Sequence, residues 1–462
     1  MPLRILPILL LNSLFLLLSG SLLFSLFMGA LLMTILVTGS NLKLRLLNEP
    51  LVFTDLALVS AFIKHPAFYL QAVPLITRIM AIIGSAGLIL ILIYTSSRSV
   101  TIRLEGGVVA LLSGALLWII LERKSRPDSP APALWADVRD KGLLPTLMLY
   151  TCRWERESPL PAQSPLSFVQ GAPEAVLIIQ CESFADPTCL NPEWQALPEL
   201  EKSRKEAFLW GELNPSGLGA YTMRSEYGVL CGESDQVLSY RQFDPFLAAT
   251  HRSSHALPRR LEYFYRDALF LHPYDLRFYG RDRLMPSMGF TEIVGGKQFK
   301  QSDHYGPYVS DRALTDFLLD YLDHHKNFLA YCVTIENHGP WKNGRLGQKT
   351  GSESWYTHVR HSDAMLGTLR EAIKASGRDI MLVFFGDHRP ALAAVPPVEG
   401  LERTTPYVIL RPNSEDCSGI TKLPVKLTPA ELHETILGII SSGVGYFSIK
   451  KDNKQAGVKT GD

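Results

Sequence analysis

Polar residues that can bind a metal ion or an anion follow four apolar, strand-like segments in the second half of the chain. Near-continuous apolar runs are typical of strands covered on both faces, and ligands bind beyond the carboxyl ends of such strands. Four endings of this kind in one domain therefore indicate a single site. The segments and the residues that follow them are AVLIIQ (175–180) with Glu182, DALFL (267–271) with His272, FLAYCVTI (328–335) with His338, and DIMLVFF (379–385) with Asp387 and His388.

Glu182, Asp387 and His388 have the ligand chemistry of a divalent-cation site. Asp387 and His388 are adjacent just past a strand and offer one oxygen and one nitrogen, and Glu182 adds a second carboxylate. This mixed set suits Mn²⁺, Mg²⁺ or Zn²⁺ and does not choose among them. An Asp-His pair alone would be interpreted as a loop cap, but the carboxylate at a second strand end favours a metal.

Thr222, in NPSGLGAYTMRSEYGVLCG (214–232), is the candidate nucleophile. Gly217 and Gly219 allow a tight loop, and Thr222 opens a helix-like run whose amide groups and dipole favour an anionic substrate. A nearby metal would make the hydroxyl a usable nucleophile. The alternative is a simple N-cap, although Ser225 is not the Glu or Gln of a capping box.

His272, Arg281 and His338 could contact the anion. In LHPYDLRFYGRDR, Arg281 could hold a phosphate bidentately, and His272 could hydrogen-bond it or move a proton. His338, in TIENHGPW, is a candidate of the same kind. The alternative is an ordinary solvated loop, because Arg277 and Asp282 also make the stretch around Arg281 charged.

The N-terminal part is predicted to span a membrane. Residues 5–38 carry no charge, and this run is too long for one span of about 20 residues. Ser19-Gly20-Ser21 divides it into two helices, and further apolar runs at 74–95 and 105–121 bring the predicted spans to four. A secretory signal peptide is the alternative, but its apolar core would end after about 7–15 residues.

The distribution of charge and proline predicts the orientation and the domains. Arg98 and Arg103 in the short 96–104 connection favour its cytoplasmic location, although Arg123 and Lys124 oppose this. The 39–73 loop would then lie along the outer membrane surface, and the C-terminal domain would be extracytoplasmic. The predicted parts are an anchor (1–122), a juxtamembrane helix with a Pro-rich linker (123–167), an α/β catalytic domain (168–450) and a disordered tail (451–462).

Composition excludes one class of partner and leaves the cysteines open. The chain has 462 residues with 46 Lys+Arg against 45 Asp+Glu, and this balance argues against nucleic-acid binding, which usually calls for a clustered basic face. None of the six cysteines forms a CxxC pair. Cys181 and Cys189 are close enough in sequence for a disulfide, and buried free thiols are the alternative.

Together these motifs resemble the lipoteichoic-acid-synthase-like phosphoglycerol transferases of the alkaline phosphatase/sulfatase superfamily. The resemblance covers about residues 170–445, and it extends more weakly to NLKLRLLNEPLVFTDLAL in the membrane part. The motifs that carry it are CESF with Glu182, YTMRSEYGVL with Thr222, FYGRDRLMPSMGF with Arg281, TIENHGPW with His338, and FFGDH with Asp387 and His388.

The resemblance implies a fold, a cofactor and a set of roles. The fold would be a sulfatase-like α/β domain with a mostly parallel sheet after a helical membrane anchor. One divalent metal would be bound, Mn²⁺ first, with Mg²⁺ or Zn²⁺ as alternatives. The implied metal ligands are Glu182, Thr222, Asp387 and His388, with Thr222 also the nucleophile, and the implied substrate-binding residues are His272, Arg281 and His338.

The implied reaction moves glycerol phosphate from phosphatidylglycerol through Thr222 to an envelope glycan or polymer, at a bacterial inner membrane with a periplasmic domain. Two features depart from the family: Tyr279 replaces an expected tryptophan, which leaves head-group selection open, and four spans are predicted where five are common.

Three other functions are alternatives for this sequence. A phosphoethanolamine transferase of the same superfamily would share the metal and threonine chemistry. A sulfatase-like hydrolase is the second alternative, but a formylglycine sulfatase would need C/S-x-P-x-R, whereas Cys189 begins C-L-N-P-E. An inactive membrane scaffold is disfavoured because all four implied metal ligands are present.

Overall fold

The structure is a computed structural model, and it divides into two compact units, residues 1–158 and 159–462. The first unit is helical, and the second combines a large sheet with helices. The described residues are 2–47, 49–55, 75–96, 99–126, 131–158, 160–167, 171–216, 221–341, 343–390, 392, 403–414 and 423–442.

The first unit contains long apolar helices. Three of its segments, Pro2–Ser19, Leu22–Arg45 and Val100–Lys124, are long and apolar enough to cross a membrane by length and composition. The segment predicted as a further span is also helical, with a shorter apolar part at Ile83–Thr95. The helices are α1 (Pro2–Ser19), α2 (Leu22–Leu47), α3 (Leu75–Thr95), α4 (Val100–Lys124), α5 (Leu134–Lys141) and α6 (Leu143–Arg156).

The boundary between the first two helices lies where the sequence predicted it. Gly20 has a φ of 66°, a left-handed conformation that suits glycine.

The end of α2 differs from the prediction, because the helix continues through the beginning of the expected surface loop to Leu47. Lys43 in this extension forms ion pairs with Glu49 at 2.9 Å and Asp55 at 2.6 Å, so it pairs with two acidic residues that follow the helix. The rest of that loop from residue 56 to 73, and the tail after 450, lie outside the described residues.

Helices α1 and α4 pack closely through a glycine. A Cβ at Gly106 would lie 2.8 Å from the backbone nitrogen of Leu17, so a larger residue would push the helices apart. Arg103 of α4 donates to the carbonyls of Leu17, Leu18 and Ser19. These are terminal carbonyls of α1, which have no intrahelical partners, so the arginine satisfies a helix end.

The second unit is built on an eight-stranded, mostly parallel sheet with the order β10-β2-β9-β8-β1-β7-β3-β4. Only β9 runs antiparallel to its neighbours within this sheet, which confirms the predicted α/β class. Strands β5 and β6 form a separate antiparallel pair. The strands are β1 (Ala175–Cys181), β2 (Leu209–Leu213), β3 (Asp267–Leu271), β4 (Glu292–Val294), β5 (His304–Tyr305), β6 (Tyr308–Val309), β7 (Phe328–Val333), β8 (Ile380–Gly386), β9 (Thr405–Leu410) and β10 (Val425–Leu427).

Helices cover both faces of the sheet, which explains why the central strands read as unbroken apolar runs. Val176 and Ile178 of β1 belong to one buried cluster, and Leu177 and Ile179 to another. Helices α8 and α14 contribute to the first cluster, and α7, α12 and α13 to the second. The helices are α7 (Pro198–Glu206), α8 (Thr222–Cys231), α9 (Asp235–Leu238), α10 (Leu257–Arg260), α11 (Arg281–Ser287), α12 (Asp311–His324), α13 (Gly351–Ser376) and α14 (Pro429–Ser442).

The described cysteines are free thiols. Cys181 is buried in β1 and Cys189 is exposed, and no disulfide joins them. The pairing that the sequence left open is therefore absent, and Cys417 lies outside the described residues.

Candidate metal centre

Glu182, Asp387 and His388 lie close together in the structure. One ligand atom from each lies within 4.8 Å of the others, and all three residues are buried. His388 Nε2 is 3.4 Å from Glu182 Oε1 and 3.5 Å from Asp387 Oδ2. The arrangement places two carboxylates and one imidazole around a common point, which is the donor set of a divalent cation.

Strand register brings these residues together. Strands β1 and β8 are parallel, and Cys181 pairs with Gly386, so Glu182 and Asp387 leave the sheet at the same level. A Cβ at Gly386 would lie 2.0 Å from the carbonyl oxygen of Phe184. The glycine of the FFGDH motif is therefore required by the close approach of the two strand ends.

Ser183 fixes the two carboxylates. Its φ of 51° is a left-handed conformation that costs a non-glycine residue of order 1 kcal/mol. In this conformation its N–H donates to Asp387 Oδ1, and its hydroxyl donates to Glu182 Oε1, both at 2.8 Å. The backbone N–H of Glu182 donates to Thr334 Oγ1 at 3.0 Å. The strained turn therefore orients both ligands before any metal binds.

The electrostatics of the site fit a cation. Asp387 Oδ2 is buried and has no hydrogen-bond partner among the described residues, so one carboxylate oxygen is available to a ligand. Burial and the charge of Glu182 raise the pKa of Asp387 to about 7. Burial alone would lower the pKa of His388, but Asp387 and Glu182 outweigh it and raise that pKa above its usual value. A bound cation would relieve the repulsion between the carboxylates.

Thr222 lies beside the metal-ligand cluster. It is the first residue of α8, and the N-cap is Tyr221, which makes no side-chain cap hydrogen bond. The interpretation of Thr222 as a cap is therefore wrong. Thr222 Oγ1 donates to Glu182 Oε2 at 3.2 Å, and the Thr222 carbonyl accepts a hydrogen bond from Gln180 Nε2 at 3.2 Å. Gly217 and Gly219 lie outside the described residues.

Arg281 is held by a carboxylate that sequence reasoning missed. Arg281 Nε and Nη2 donate to the two carboxylate oxygens of Glu226 at 3.1 and 2.5 Å, and both side chains are buried. The guanidinium also lies 5.1 Å from the ring centre of Tyr279. The two-nitrogen fork expected to hold a phosphate is therefore used by Glu226, which leaves Nη1 for an anion. Glu226 follows Thr222 by four residues on α8, so the two side chains lie on the same face of the helix.

Replacing Glu226 with glutamine is expected to lower the free energy of unfolding by about 3–5 kcal/mol, because a buried guanidinium would lose its counter-charge. Thermal or urea unfolding of the full chain in detergent measures this. Glu201→Gln is the matched control. Glu201 pairs with Arg204, but 44% of its side chain is exposed, so its loss should cost under about 1 kcal/mol. Equal effects of the two substitutions would contradict the importance of the buried pair.

His272 is a buried, neutral histidine. It follows β3, whose neighbour β7 places Val333 beside it, and His272 Nδ1 lies 3.0 Å from the Val333 carbonyl. Because a carbonyl only accepts, Nδ1 carries the proton and Nε2 is an acceptor. Burial, followed by the charges of Arg281 and His338, lowers the pKa of His272 well below its usual value. The ring therefore suits a hydroxyl or ammonium donor better than a phosphate oxygen.

His338 is exposed, unlike the other candidates. The hydroxyl of Tyr308 lies 3.3 Å from His338 Nδ1, and the two ring centres are 5.6 Å apart. Arg345 donates to the His338 carbonyl at 2.8 Å. His338 influences the pKa of His272, so the two histidines belong to one electrostatic environment, and Tyr308 is a further contact that the sequence did not indicate.

Comparisons with known proteins show what this chain is similar to. The capsular polysaccharide biosynthesis protein RkpI of Rhizobium meliloti (strain 1021) is 28% identical over 392 residues, which span 79% of this chain and 73% of that protein. The Streptococcus pyogenes phosphoglycerol transferase GacH in complex with sn-glycerol-1-phosphate has a TM-score of 0.49 at 16% identity, covering 61% of this chain and 77% of that one. The lipoteichoic acid synthase LtaP from Listeria monocytogenes has a TM-score of 0.47 at 20% identity, covering 61% and 76%.

The family of this chain is shown by a sequence match within its second unit. The profile described as Sulfatase matches residues 174–435, more than half of the chain. The matched range contains every strand of the large sheet and the whole Glu182, Asp387 and His388 cluster. The chain therefore belongs to the sulfatase family, within the superfamily that its motifs resemble.

Proposed function

We propose that this chain is a membrane-bound, metal-dependent phosphoglycerol transferase. It moves glycerol phosphate from phosphatidylglycerol, by way of Thr222, to an envelope glycan. The observation that carries the proposal is the Thr222 hydroxyl, which lies at a helix N-terminus and 3.2 Å from Glu182 in the buried ligand cluster. A hydroxyl in this position, next to ligands for a cation, is suited to attack a phosphodiester.

Transfer needs two displacements at phosphorus. In the first, Thr222 Oγ bonds to the phosphorus while the bond to the diacylglycerol oxygen breaks. In the second, an acceptor hydroxyl oxygen replaces Thr222, and the net proton moves from the acceptor to diacylglycerol. A divalent metal held by Glu182, Asp387, His388 and Thr222 would supply positive charge for the phosphoryl group.

The remaining polar residues fit the glycerol phosphate group. Arg281 Nη1 would meet a phosphate oxygen, because Glu226 occupies Nε and Nη2. His272 Nε2 would accept a hydrogen bond from a glycerol hydroxyl, since its Nδ1 proton is donated to Val333. His338 is exposed and would contact the head group from the solvent side of the pocket.

The membrane helices and one relative support the proposed lipid donor and glycan acceptor. Apolar helices precede the catalytic domain on the same chain, so a donor that is itself a membrane lipid would be at hand. The similar protein RkpI is named for capsular polysaccharide biosynthesis, which supports a surface polysaccharide as acceptor. We infer a location in a bacterial inner membrane, with the catalytic domain in the periplasm.

The test is trapping of the Thr222 intermediate. The full chain in detergent with Mn²⁺ would be incubated with phosphatidylglycerol or with phosphatidylethanolamine and then quenched in acid. Peptide mass spectrometry would examine residues 214–232. We expect a glycerophosphate adduct on Thr222 with phosphatidylglycerol alone, and none in Thr222→Ala.

The other outcomes assign other functions. An ethanolamine-phosphate adduct would replace the proposal with phosphoethanolamine transfer. Release of free glycerol phosphate at the same rate with and without a glycan acceptor would indicate a hydrolase. Absence of any adduct and of any product, with the metal confirmed bound, would reject the proposed activity.

A further inference from the structure

A second cluster of potential metal ligands lies outside the site described above. Glu336, His358 and His361 place their ligand atoms within 4.8 Å of one another. Glu336 Oε1 lies 2.8 Å from His358 Nδ1 and 2.6 Å from His361 Nδ1. Glu336 and His358 are fully buried, whereas 40% of the His361 side chain is exposed. The cluster is therefore preorganised and still reachable.

Three elements of the fold hold this cluster together. Glu336 lies on the segment that follows β7, and the two histidines lie three residues apart on α13, on one face of the helix. The N–H of Asp311, the first residue of α12, donates to Glu336 Oε2 at 2.7 Å. A ligand bound here would tie the segment that carries His338 to α13.

Two buried polar atoms at the cluster lack a hydrogen-bond partner among the described residues. Asp311 is fully buried, and its Oδ2 accepts from Ser362, the residue after His361, at 2.6 Å. Asp311 Oδ1 and His358 Nε2 have no hydrogen-bond partner in the part of the chain that the structure describes. Two buried carboxylates beside two imidazoles, with polar atoms left unpaired, form a site that gains from an additional cation.

An entry path leads to the ligands. A cavity of about 560 Å³ is lined by Glu336 and His361 together with His304, Tyr305, Arg312 and Asp316. Tyr305 covers both imidazoles edge-on, with ring centres 5.6 Å from His358 and 4.9 Å from His361. A hydrated ion could therefore reach His361 and Glu336 from this cavity without unfolding of the domain.

We propose that Glu336, His358 and His361 form a second divalent-metal site, separate from the Glu182 site. Two imidazole nitrogens and one carboxylate oxygen suit Zn²⁺, whereas Mg²⁺ prefers oxygen ligands alone. To coordinate through Nδ1 as a neutral imidazole, each ring must carry its single proton on Nε2. A doubly protonated ring would therefore release its Nδ1 proton to solvent, and a neutral ring would exchange its Nδ1 proton for one on Nε2. This site goes beyond the proposed function, because its occupancy does not depend on transfer.

The test is metal stoichiometry of the full chain in detergent. The protein would be stripped with a chelator, reloaded with Zn²⁺, desalted and analysed by mass spectrometry for metal per chain. We expect about two ions in the wild type, and about one in both His361→Gln and Asp387→Asn. His304→Gln is the matched control, since His304 lines the same cavity but lies outside the cluster, and it should retain about two ions.

In the zinc measurement, two results would overturn the second site. One is a folded His361→Gln protein that binds as much Zn²⁺ as the wild type. The other is an Asp387→Asn protein that binds no ion. Because Asp387→Asn leaves Glu336, His358 and His361 unchanged, it still tests the second site if His361→Gln fails to fold.

Co²⁺ binding to Asp387→Asn gives a spectroscopic test. The bound Co²⁺ should give visible absorption bands of an imidazole-ligated ion, and excess Mg²⁺ should not abolish them. Loss of those bands with Mg²⁺ would equally reject the site.

Discussion

Thr222→Ala is expected to abolish formation of the covalent intermediate and to lower transfer at least about 1,000-fold, because it removes the nucleophile itself. The fold and the metal should remain. Thr222 does not cap α8, so its hydroxyl contributes little to helix stability. Glu182, Asp387 and His388 would still supply three ligands. Transfer would be measured from radiolabelled phosphatidylglycerol, with metal content and thermal unfolding determined on the same sample.

Thr428→Ala provides the matched control for this result. Thr428 precedes α14 and its Oγ1 accepts the N–H of Glu431 at 3.2 Å, so it is a true capping threonine. Its loss should cost about 1 kcal/mol of stability and leave transfer unchanged, which is the reverse of the Thr222→Ala pattern. Thr222→Ser should keep measurable activity. A Thr222→Ala protein that still transfers glycerol phosphate would place the nucleophile elsewhere.

Residues that directly follow a strand could be predicted, because position along the strand fixes their place in space. Glu182 and Asp387 needed only the assumption that two apolar segments were parallel neighbours, and the register of Cys181 with Gly386 satisfies it. The same reasoning placed His272 at a strand end. Secondary structure thus carries most of the information about this part of the site.

Partnerships between distant segments could not be predicted. Glu226 and Arg281 are 55 positions apart, and nothing in either local sequence shows that the arginine is already paired. The Glu336, His358 and His361 cluster joins the end of β7 to the side of α13. In the sequence, a histidine that binds a ligand cannot be told from any other polar residue of an amphipathic helix. These pairings depend on how helices dock onto the sheet, which local patterns do not encode.

The end of α2 shows a third kind of difference. The sequence from residue 39 onward contains charges, and charged positions predicted a surface loop. The structure continues the helix to Leu47 because Lys43 finds partners in Glu49 and Asp55. Charge alone therefore did not distinguish a solvated segment from one whose ions pair with each other.

The metal-free protein is expected to lose stability as pH rises from about 4 to about 7, relative to Asp387→Asn. Burial and Glu182 raise the pKa of Asp387 from 3.8 to about 7 in the folded chain. Between these values the folded state holds a proton that the unfolded state releases. The stabilisation is therefore complete at low pH and is lost as pH rises, by up to about 1.4 kcal/mol per pH unit. Asparagine does not titrate, so Asp387→Asn lacks this pH-dependent contribution to the free energy of unfolding.

Mn²⁺ should reverse the trend, because the metal binds the carboxylate form and stabilises only the folded chain. Thermal unfolding of the chelator-treated wild type, Asp387→Asn and Asp267→Asn between pH 4 and 8 would measure the effect with and without Mn²⁺. Asp267 is exposed at the start of β3, so Asp267→Asn should follow the wild-type curve. If the difference between wild type and Asp387→Asn were independent of pH, the pKa of Asp387 would be the same in the folded and the unfolded chain. The repulsion between the two buried carboxylates would then be offset by the protein itself rather than by a bound cation.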